Sequence, residues 1–239
     1  MSKPIDKNKI VVFTGAGISA ASGLQTFRDS DGLWNNHVID DVATPYGWKN
    51  NPELVLNFYN TYRIEAAQAK PNQAHLALAS LEKKFNVTVI TQNVDDLHER
   101  AGSSNVIHLH GELSKARSTI NDQLIYDIGN RPIKRGDHCD EGSQLRPHIV
   151  WFGEKMLNNE ISRQHLNRAA RVLVIGTSLS VEPAASLLKK ARFHAEKLIV
   201  SLDVEKKPFG FYWIRGEAVK TVPHIVDTWL ENKSTIRQN

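Results

Sequence analysis

Ile10-Val11-Val12-Phe13-Thr14-Gly15-Ala16-Gly17-Ile18-Ser19-Ala20-Ala21-Ser22-Gly23-Leu24-Gln25-Thr26-Phe27-Arg28 is the stretch on which the fold turns. The apolar run at its start reads as a buried parallel strand. A strand that enters Gly-x-Gly, with a small residue three positions later, is the turn that lays a pyrophosphate on a helix N-terminus. In that reading Gly15 permits the tight turn and Gly17 lets the backbone approach phosphates, while Ala20 takes the helix-packing place. A plain glycine turn between strand and helix is the simpler alternative. Phe27 and Arg28, just beyond, suggest a loop that covers the reactive end of a cofactor.

Working outward, further apolar runs recur at Val87–Ile90, Val106–Ile107, His148–Trp151, Val172–Ile175 and Leu198–Leu202, with a short strand expected near Ala218-Val219. Helical spacing is expected behind Pro52, from Gln73 to Lys84 with Asn72 as N-cap, from Val181 to Ala191, and from Pro223 to Leu230. The alternation predicts an α/β fold, a Rossmann-like open parallel sheet with helices on both faces. Between Ser114 and Leu145 polar and turn residues dominate, so residues 114–145 are expected to form a small inserted module within a single 1–239 catalytic domain.

The chain has 239 residues, a formal net charge of +4 and one cysteine, Cys139. One cysteine excludes an internal disulfide framework and any multi-cysteine metal site. Cationic residues are scattered or in short pairs such as Lys189-Lys190 and Lys206-Lys207, so neither nucleic-acid binding nor a membrane partner is expected. The polar start, followed by too short an apolar run for a signal peptide, leads to an expected cytoplasmic location.

Four polar motifs follow four expected strands: the glycine turn, Gln92-Asn93-Val94-Asp95, His108-Leu109-His110-Gly111 and Gly176-Thr177-Ser178. Ligands of open parallel sheets gather at such strand ends. Gln92, Asn93 and Asp95 suit ribose hydroxyls and a carboxamide better than a metal, an Asx turn being the alternative. His110 is the best candidate general base, because imidazole titrates near neutral pH. A core histidine is the alternative, and in an extended strand His108 would share its face and keep a His-x-His metal site open. Gly176-Thr177-Ser178 offers amides and hydroxyls to phosphate or ribose oxygens, or is a bare turn.

These motifs, with Ser22-Gly23, Phe27-Arg28 and Val150-Trp151-Phe152-Gly153-Glu154, occur in an order that resembles the sirtuins, NAD-dependent protein-lysine deacylases. The resemblance spans nearly the whole chain. It implies NAD as co-substrate, with its pyrophosphate at Gly15, Ala16 and Gly17. The adenosine half would lie near Gly176, Thr177, Ser178, Asp203, Val204, Glu205 and Ala218. Gln92 and Asn93 would lie near the ribose, Val94 and Asp95 at the nicotinamide carboxamide, and Phe27, Arg28 and Trp34 in the covering loop. In the implied reaction the acyl-lysine oxygen displaces nicotinamide to give an alkylimidate. His110, with Asn93, then activates the ribose hydroxyl, and water completes transfer to O-acyl-ADP-ribose. Val150, Phe152, Gly153 and Glu154 would pair as an added strand with acyl-lysine peptide or protein substrates, and Ala43, Tyr59 and Tyr62 would line the acyl pocket. Mono-ADP-ribosyl transfer and a non-catalytic NAD-binding sensor are the alternatives.

The chain departs from the family pattern in three places. Ser118 stands where a zinc cysteine is expected and Cys139 is alone, with Asp137, His138 and Asp140 nearby, so no metal is expected. Tyr59 matches the tyrosine of relatives that prefer acidic acyl groups, but Tyr62 stands at the arginine position and Arg63 lies about 100° further round a helix. Acetyl or longer neutral acyl groups are therefore expected to exceed succinyl. Asp203 replaces a common asparagine and can accept, but not donate, a hydrogen bond.

Overall fold

The computed structural model describes residues 4–26, 33–34 and 37–235. In chain order the strands and α-helices are β1 (Asp6–Thr14), β2 (Leu33–Trp34), β3 (His37–Val38), α1 (Ile39–Val42), α2 (Pro45–Asn50), α3 (Pro52–Gln68), α4 (Gln73–Ser80), β4 (Asn86–Thr91), α5 (Leu97–Arg100), β5 (Val106–His108), β6 (Gly111–Ser118), β7 (Ile125–Asp127), β8 (Leu145–Ile149), α6 (Asn159–Arg168), β9 (Ala169–Ile175), β10 (Glu196–Ser201), β11 (Tyr212–Arg215) and α7 (Ala218–Leu230).

The apolar runs form one parallel sheet in the order β11-β10-β9-β1-β4-β5. Alternate residues of each run serve opposite faces. Ile10, Val12, Val87, Val89, Leu173 and Leu198 pack under α4 and α7, while Val11, Phe13, Ile90, Val172, Val174 and Ile199 pack beneath α6 and the short helix at Ala185–Lys190. Both faces are dry, which is why these strands read as continuous apolar runs. Asn72 caps α4 as expected, its side chain accepting from the Ala74 amide at 3.0 Å.

The chain runs β1, β4, β5 to one side and then returns to build β9, β10, β11 on the other. The reversal falls at β1, so the crevice at the C-terminal ends of β1 and β9 is the topological switch point, where open α/β sheets take ligands.

Several sequence expectations are corrected. In place of an α-helix directly behind β1, two one-turn 3-10 helices, Ala16–Ile18 and Ala20–Ser22, stand there, and Ala20 is exposed rather than packed. His148 to Trp151 does not rejoin the main sheet. β8 ends at Ile149 and pairs antiparallel with β6 in a separate sheet of order β7-β6-β8. That sheet extends from Gly111 to Ile149, beyond the 114–145 limits read from composition, and covers a small core of Leu56, Ala116, Ile128, Ile133, Cys139 and Leu145. The helix expected over Val181–Ala191 shrinks to a 3-10 segment, Ala185–Lys190.

Ala218 begins a helix rather than a strand, and α7 carries Pro223 in its interior. An internal proline loses one hydrogen bond and crowds the preceding turn. Burial of Val222, Ile225, Val226 and Trp229 on the sheet outweighs that cost. Among the described residues no helix is long and apolar enough to cross a membrane.

Candidate active site

The sheet order sets the four polar motifs side by side, at the ends of β9, β1, β4 and β5. Their first contact is backbone to backbone. The Gly17 amide donates to the Gly176 carbonyl at 2.8 Å, and the Gly15 amide to the Ile175 carbonyl at 3.0 Å. A Cβ on Gly17 would stand 2.8 Å from Gly176 Cα; one on Gly176, where φ is +62°, would meet the Ile18 amide at 2.3 Å. Gly17 is thus needed to interlock two strand-end turns, a role distinct from the phosphate approach read from sequence. Gly15 and Gly17 do face Gly176 and Thr177 here, with Ala16 between them in the chain.

Threonines close the strands behind the turns. Thr14 and Thr91 are partners in the β1–β4 register, and the Thr14 hydroxyl donates to Thr91 Oγ1 at 2.8 Å. Thr91 Oγ1 also accepts from the Asn93 amide at 3.0 Å, which sets the path of the Gln92–Asp95 loop. Within the loop, Asn93 Nδ2 donates to Ser19 Oγ at 3.2 Å, and Ser19 donates to Asp95 Oδ2 at 3.1 Å. The other Asp95 oxygen accepts from the Leu97 amide at 3.1 Å. Burial pushes the Asp95 carboxyl up to about 6, against these hydrogen bonds. Gln92 Nε2 donates to Thr177 Oγ1 at 3.2 Å, so the β4 and β9 ends are tied by side chains too.

The two histidines part company. His108, the last residue of β5, is buried and has Asn93 O at 2.9 Å from Nδ1 and Glu99 Oε1 at 2.9 Å from Nε2. His110 has left the strand and places Nδ1 3.1 Å from the Gln92 carbonyl. A carbonyl only accepts, so Nδ1 carries the proton and Nε2 keeps its lone pair. Burial pushes the His110 imidazole below its usual range, which favours the neutral form. Among the described residues no group of three His, Cys, Asp or Glu could hold a metal, so the His-x-His reading has no further ligands there.

Beyond the end of β9 the Glu205 amide donates to the Ser178 carbonyl at 3.0 Å, which brings the Asp203-Val204-Glu205 segment against Gly176-Thr177-Ser178. Asp203 and Glu205 are exposed, and Ala218 is buried at the first turn of α7. Phe27 and Arg28 lie outside the described residues.

On the other side, Trp34, expected with the cofactor group, packs among the aromatic residues of α3. Its ring meets Phe58, Tyr59 and Tyr62 edge-on, at centroid distances of 5.0, 6.0 and 5.4 Å. Ala43 and Val94 belong to the same apolar cluster. Tyr59 is wholly buried and accepts from Trp151 Nε1 at 3.1 Å. Arg63 turns away from this pocket: its Nε donates to the Leu113 carbonyl and its Nη1 to Asn60 Oδ1 at 2.7 Å.

Part of the main chain from Val150 to Glu154, expected to pair with a peptide, is bonded within the protein. The Val150 amide donates to the His110 carbonyl and the Phe152 amide to the Ala43 carbonyl, each at 2.9 Å, and the Glu154 amide turns back to Trp151 O. Phe152 is exposed, and Gly153 has open space around it. The Glu154 side chain serves as a junction. It accepts from Arg146 Nη1 at 2.7 Å, from Arg117 Nη2 at 3.1 Å and from the Trp151 amide at 2.8 Å. The Arg146 guanidinium lies 3.2 Å above the Trp151 ring centre. Sequence reading missed this junction, as it missed Ser19, Thr14 and Thr91; the only signal was a threonine closing each of two strands.

In the small sheet Cys139 is buried and its thiol donates to Ser118 Oγ at 3.3 Å. One thiol facing a hydroxyl does not fit a tetrahedral zinc site.

A model of the Sir2 family matches residues 15–183. The NAD-dependent protein deacylase of Helicobacter pylori (strain ATCC 700392 / 26695) is 52% identical over 231 residues, covering 94% of this chain and 99% of its own. That of Bacteroides thetaiotaomicron is 50% identical over 196 residues, 80% of this chain and 84% of its own. A Sir2 homologue solved with NAD superposes with a TM-score of 0.80 at 37% identity, covering 94% of this chain and 90% of that one. A Sir2 enzyme solved with a p53 peptide and NAD+ gives 0.72 at 30% identity, covering 93% and 94%.

Proposed function

The chain belongs to the Sir2 family and is an NAD-dependent protein-lysine deacylase, and we propose that His110 and Asn93 carry its chemistry. NAD, the co-substrate, supplies an ADP-ribosyl unit whose bond to nicotinamide is broken and which takes up the acyl group. The strand ends suit such a molecule: a glycine cradle that no side chain can fill, a buried carboxyl at Asp95 and a neutral imidazole at His110.

The observation that carries the assignment is the His110 Nδ1–H···O=C Gln92 bond, which leaves Nε2 as the free basic nitrogen. Gln92 thereby orients the base through its main chain while its side chain holds Thr177. Asn93 and Ser19 hold Asp95 in place for the carboxamide, with Val94 beside it. Gly15, Ala16, Gly17, Gly176, Thr177 and Ser178 take the phosphates and ribose, and Asp203, Val204, Glu205 and Ala218 the adenosine end. Val150, Phe152, Gly153 and the Glu154 main chain receive the peptide, and the Val150 amide ties that segment to His110. The Glu154 side chain supports the segment from behind.

Ala43, Tyr59 and Tyr62, with Trp34 and Phe58, form an aromatic acyl pocket. Arg63, the residue after Tyr62, bonds elsewhere, so it does not offer a succinyl carboxylate the bidentate partner it needs. Neutral acyl groups, acetyl or longer, are the preferred substrates. The composition supports a cytoplasmic enzyme without nucleic-acid or membrane partners, and the single thiol supports a module that folds without zinc.

The test is His110→Ala against the parent enzyme on acetyl-, succinyl- and longer acyl-lysine peptides. Deacylation should fall by roughly 10²–10⁴-fold, the usual contribution of a positioned base, with NAD binding retained. Undiminished turnover refutes the role of His110, a succinyl preference refutes the pocket reading, and ADP-ribose covalently on protein points to transfer instead.

A further inference from the structure

Behind the active site lie two buried histidines that the reaction does not touch. His75 and His98 are 0% and 1% exposed, and their rings meet at 4.9 Å and 64°. Each leaves one buried nitrogen without a partner among the described residues, Nε2 of His75 and Nδ1 of His98.

Their outer bonds fix both tautomers. The Asn72 amide approaches His75 Nδ1 at 3.3 Å, and a main-chain amide only donates, so Nδ1 is bare and a neutral His75 carries its proton on Nε2. The Thr14 hydroxyl proton goes to Thr91, so the 3.0 Å contact between Thr14 Oγ1 and His98 Nε2 needs a donor on the histidine. His98 is therefore the Nε2–H form, with a bare Nδ1. The two orphans are complementary, one N–H and one lone pair, on touching rings. Burial holds both imidazoles in the neutral state, pushing His75 down to about 4 and His98 well below its usual range.

One hydrogen bond runs from Asn72 to His75 and, across the ring contact, two more run from His98 to Thr14 and from Thr14 to Thr91, where the Asn93 amide also ends. Asn72 Nδ2 donates to Ile18 O at 2.8 Å and Ser22 Oγ at 3.0 Å, and Asn93 Nδ2 donates to Ser19. The Asn72 end and the Thr91–Asn93 end of this row of contacts thus both reach the glycine-turn segment.

We propose that His98, backed by His75, is a positioning residue that acts through Thr14 and Thr91 to hold Asn93 and the Ile18–Ser22 segment in their NAD-binding arrangement. It requires both histidines to be neutral and protonated on Nε2. The proposal rests on the NAD-consuming reading of the site, but its tautomer requirement is separable from that reading.

Long-range ¹H–¹⁵N NMR on the full chain at pH 7.5 should show His75 and His98 as neutral Nε2–H imidazoles. A cationic or Nδ1–H form of either overturns the proposal. In parallel, His98→Gln and His98→Asn are compared by steady-state kinetics. A glutamine amide nitrogen reaches the place of Nε2 and can still donate to Thr14, whereas asparagine reaches only the place of Nδ1. His98→Asn should raise KM for NAD roughly tenfold or more, the scale on which a lost orienting contact is felt, and His98→Gln should stay within about threefold of the parent. Equal behaviour of the two folded variants overturns the proposal, and if either fails to fold the NMR result decides. Nicotinamide release by the parent enzyme is the control, since its absence strikes the functional reading and leaves the tautomers standing.

Discussion

Asp95 and Glu154 are two carboxylates at two ends of one site, and their surroundings push them in opposite directions. Asp95, at the strand edge, accepts from the neutral Ser19 hydroxyl and Leu97 amide, and burial raises its pKa to about 6. Glu154, where the small sheet meets the 150–154 segment, is also partly buried, yet Arg146 and Arg117 hold it below the usual range. The strand edge is built from interlocked glycines and neutral hydrogen bonds. The junction is built from charge. One region presents buried polar groups at the strand ends, and the other fixes a loop to a module with little apolar core of its own.

The contrast can be broken most severely at the junction. Glu154→Ala leaves the Arg117 and Arg146 guanidinium groups, each 7% exposed, without their shared acceptor. Removing one partner of a buried pair costs about 3 kcal/mol or more, so urea unfolding should show a loss of that order; a change below about 1 kcal/mol would show that the charges are well hydrated. At the strand edge the comparable insult is Gly176→Ala, which forces a Cβ onto the Ile18 amide at positive φ. Strain of this kind costs about 1–3 kcal/mol, and NAD binding measured by calorimetry should fall with it.

Asp95 sharpens the comparison through pH. Its folded pKa is raised, so its contribution to stability is full below the unfolded value of 3.8 and is lost as pH rises through about 6. Two units correspond to about 2–3 kcal/mol. Asp95→Asn should therefore stabilise the protein at pH 8 by up to about 2 kcal/mol, while NAD affinity weakens and loses its pH dependence near 6. Glu154 has the opposite sign: its stabilisation is present above the unfolded 4.5 and lost as pH falls through its lowered folded value. Between pH 7 and 5 the strand edge should change while the junction holds, and parallel loss of both in a pH series would remove the distinction. The smallest effect is expected at Cys139→Ala, under about 1 kcal/mol for a lone thiol and a weak hydrogen bond, with less than stoichiometric zinc in the parent by elemental analysis.

The parallel sheet was legible because strands buried on both faces must be apolar at every position, as Val11-Val12-Phe13 and Val172-Leu173-Val174-Ile175 are. The strand-end motifs were legible for the same reason, since each follows such a run. The Leu145–Ile149 strand was harder to place. Its flanking Val150-Trp151 extends the apolar pattern past the true end, and nothing local says that its partner is β6 rather than the main sheet. Pro223 read as a helix start because proline is common there, yet α7 begins five residues earlier and holds its face by tertiary burial. The Glu154 role was invisible because Arg117 is 37 residues away in sequence. Trp34 was assigned to the cofactor by position in the motif order, and only the packing of α3 reveals its aromatic partners.

The place of β1 between β4 and β9 has a consequence for the order in which this enzyme comes into being. Its glycine turn meets Gly176 only after some 160 further residues have been synthesised, at about 5–20 residues per second. For on the order of ten seconds the nascent chain carries half a crevice, with one side of β1 unpaired. A chain abandoned in that interval lacks the Gly176 turn, and with it the wall that β9 gives the crevice.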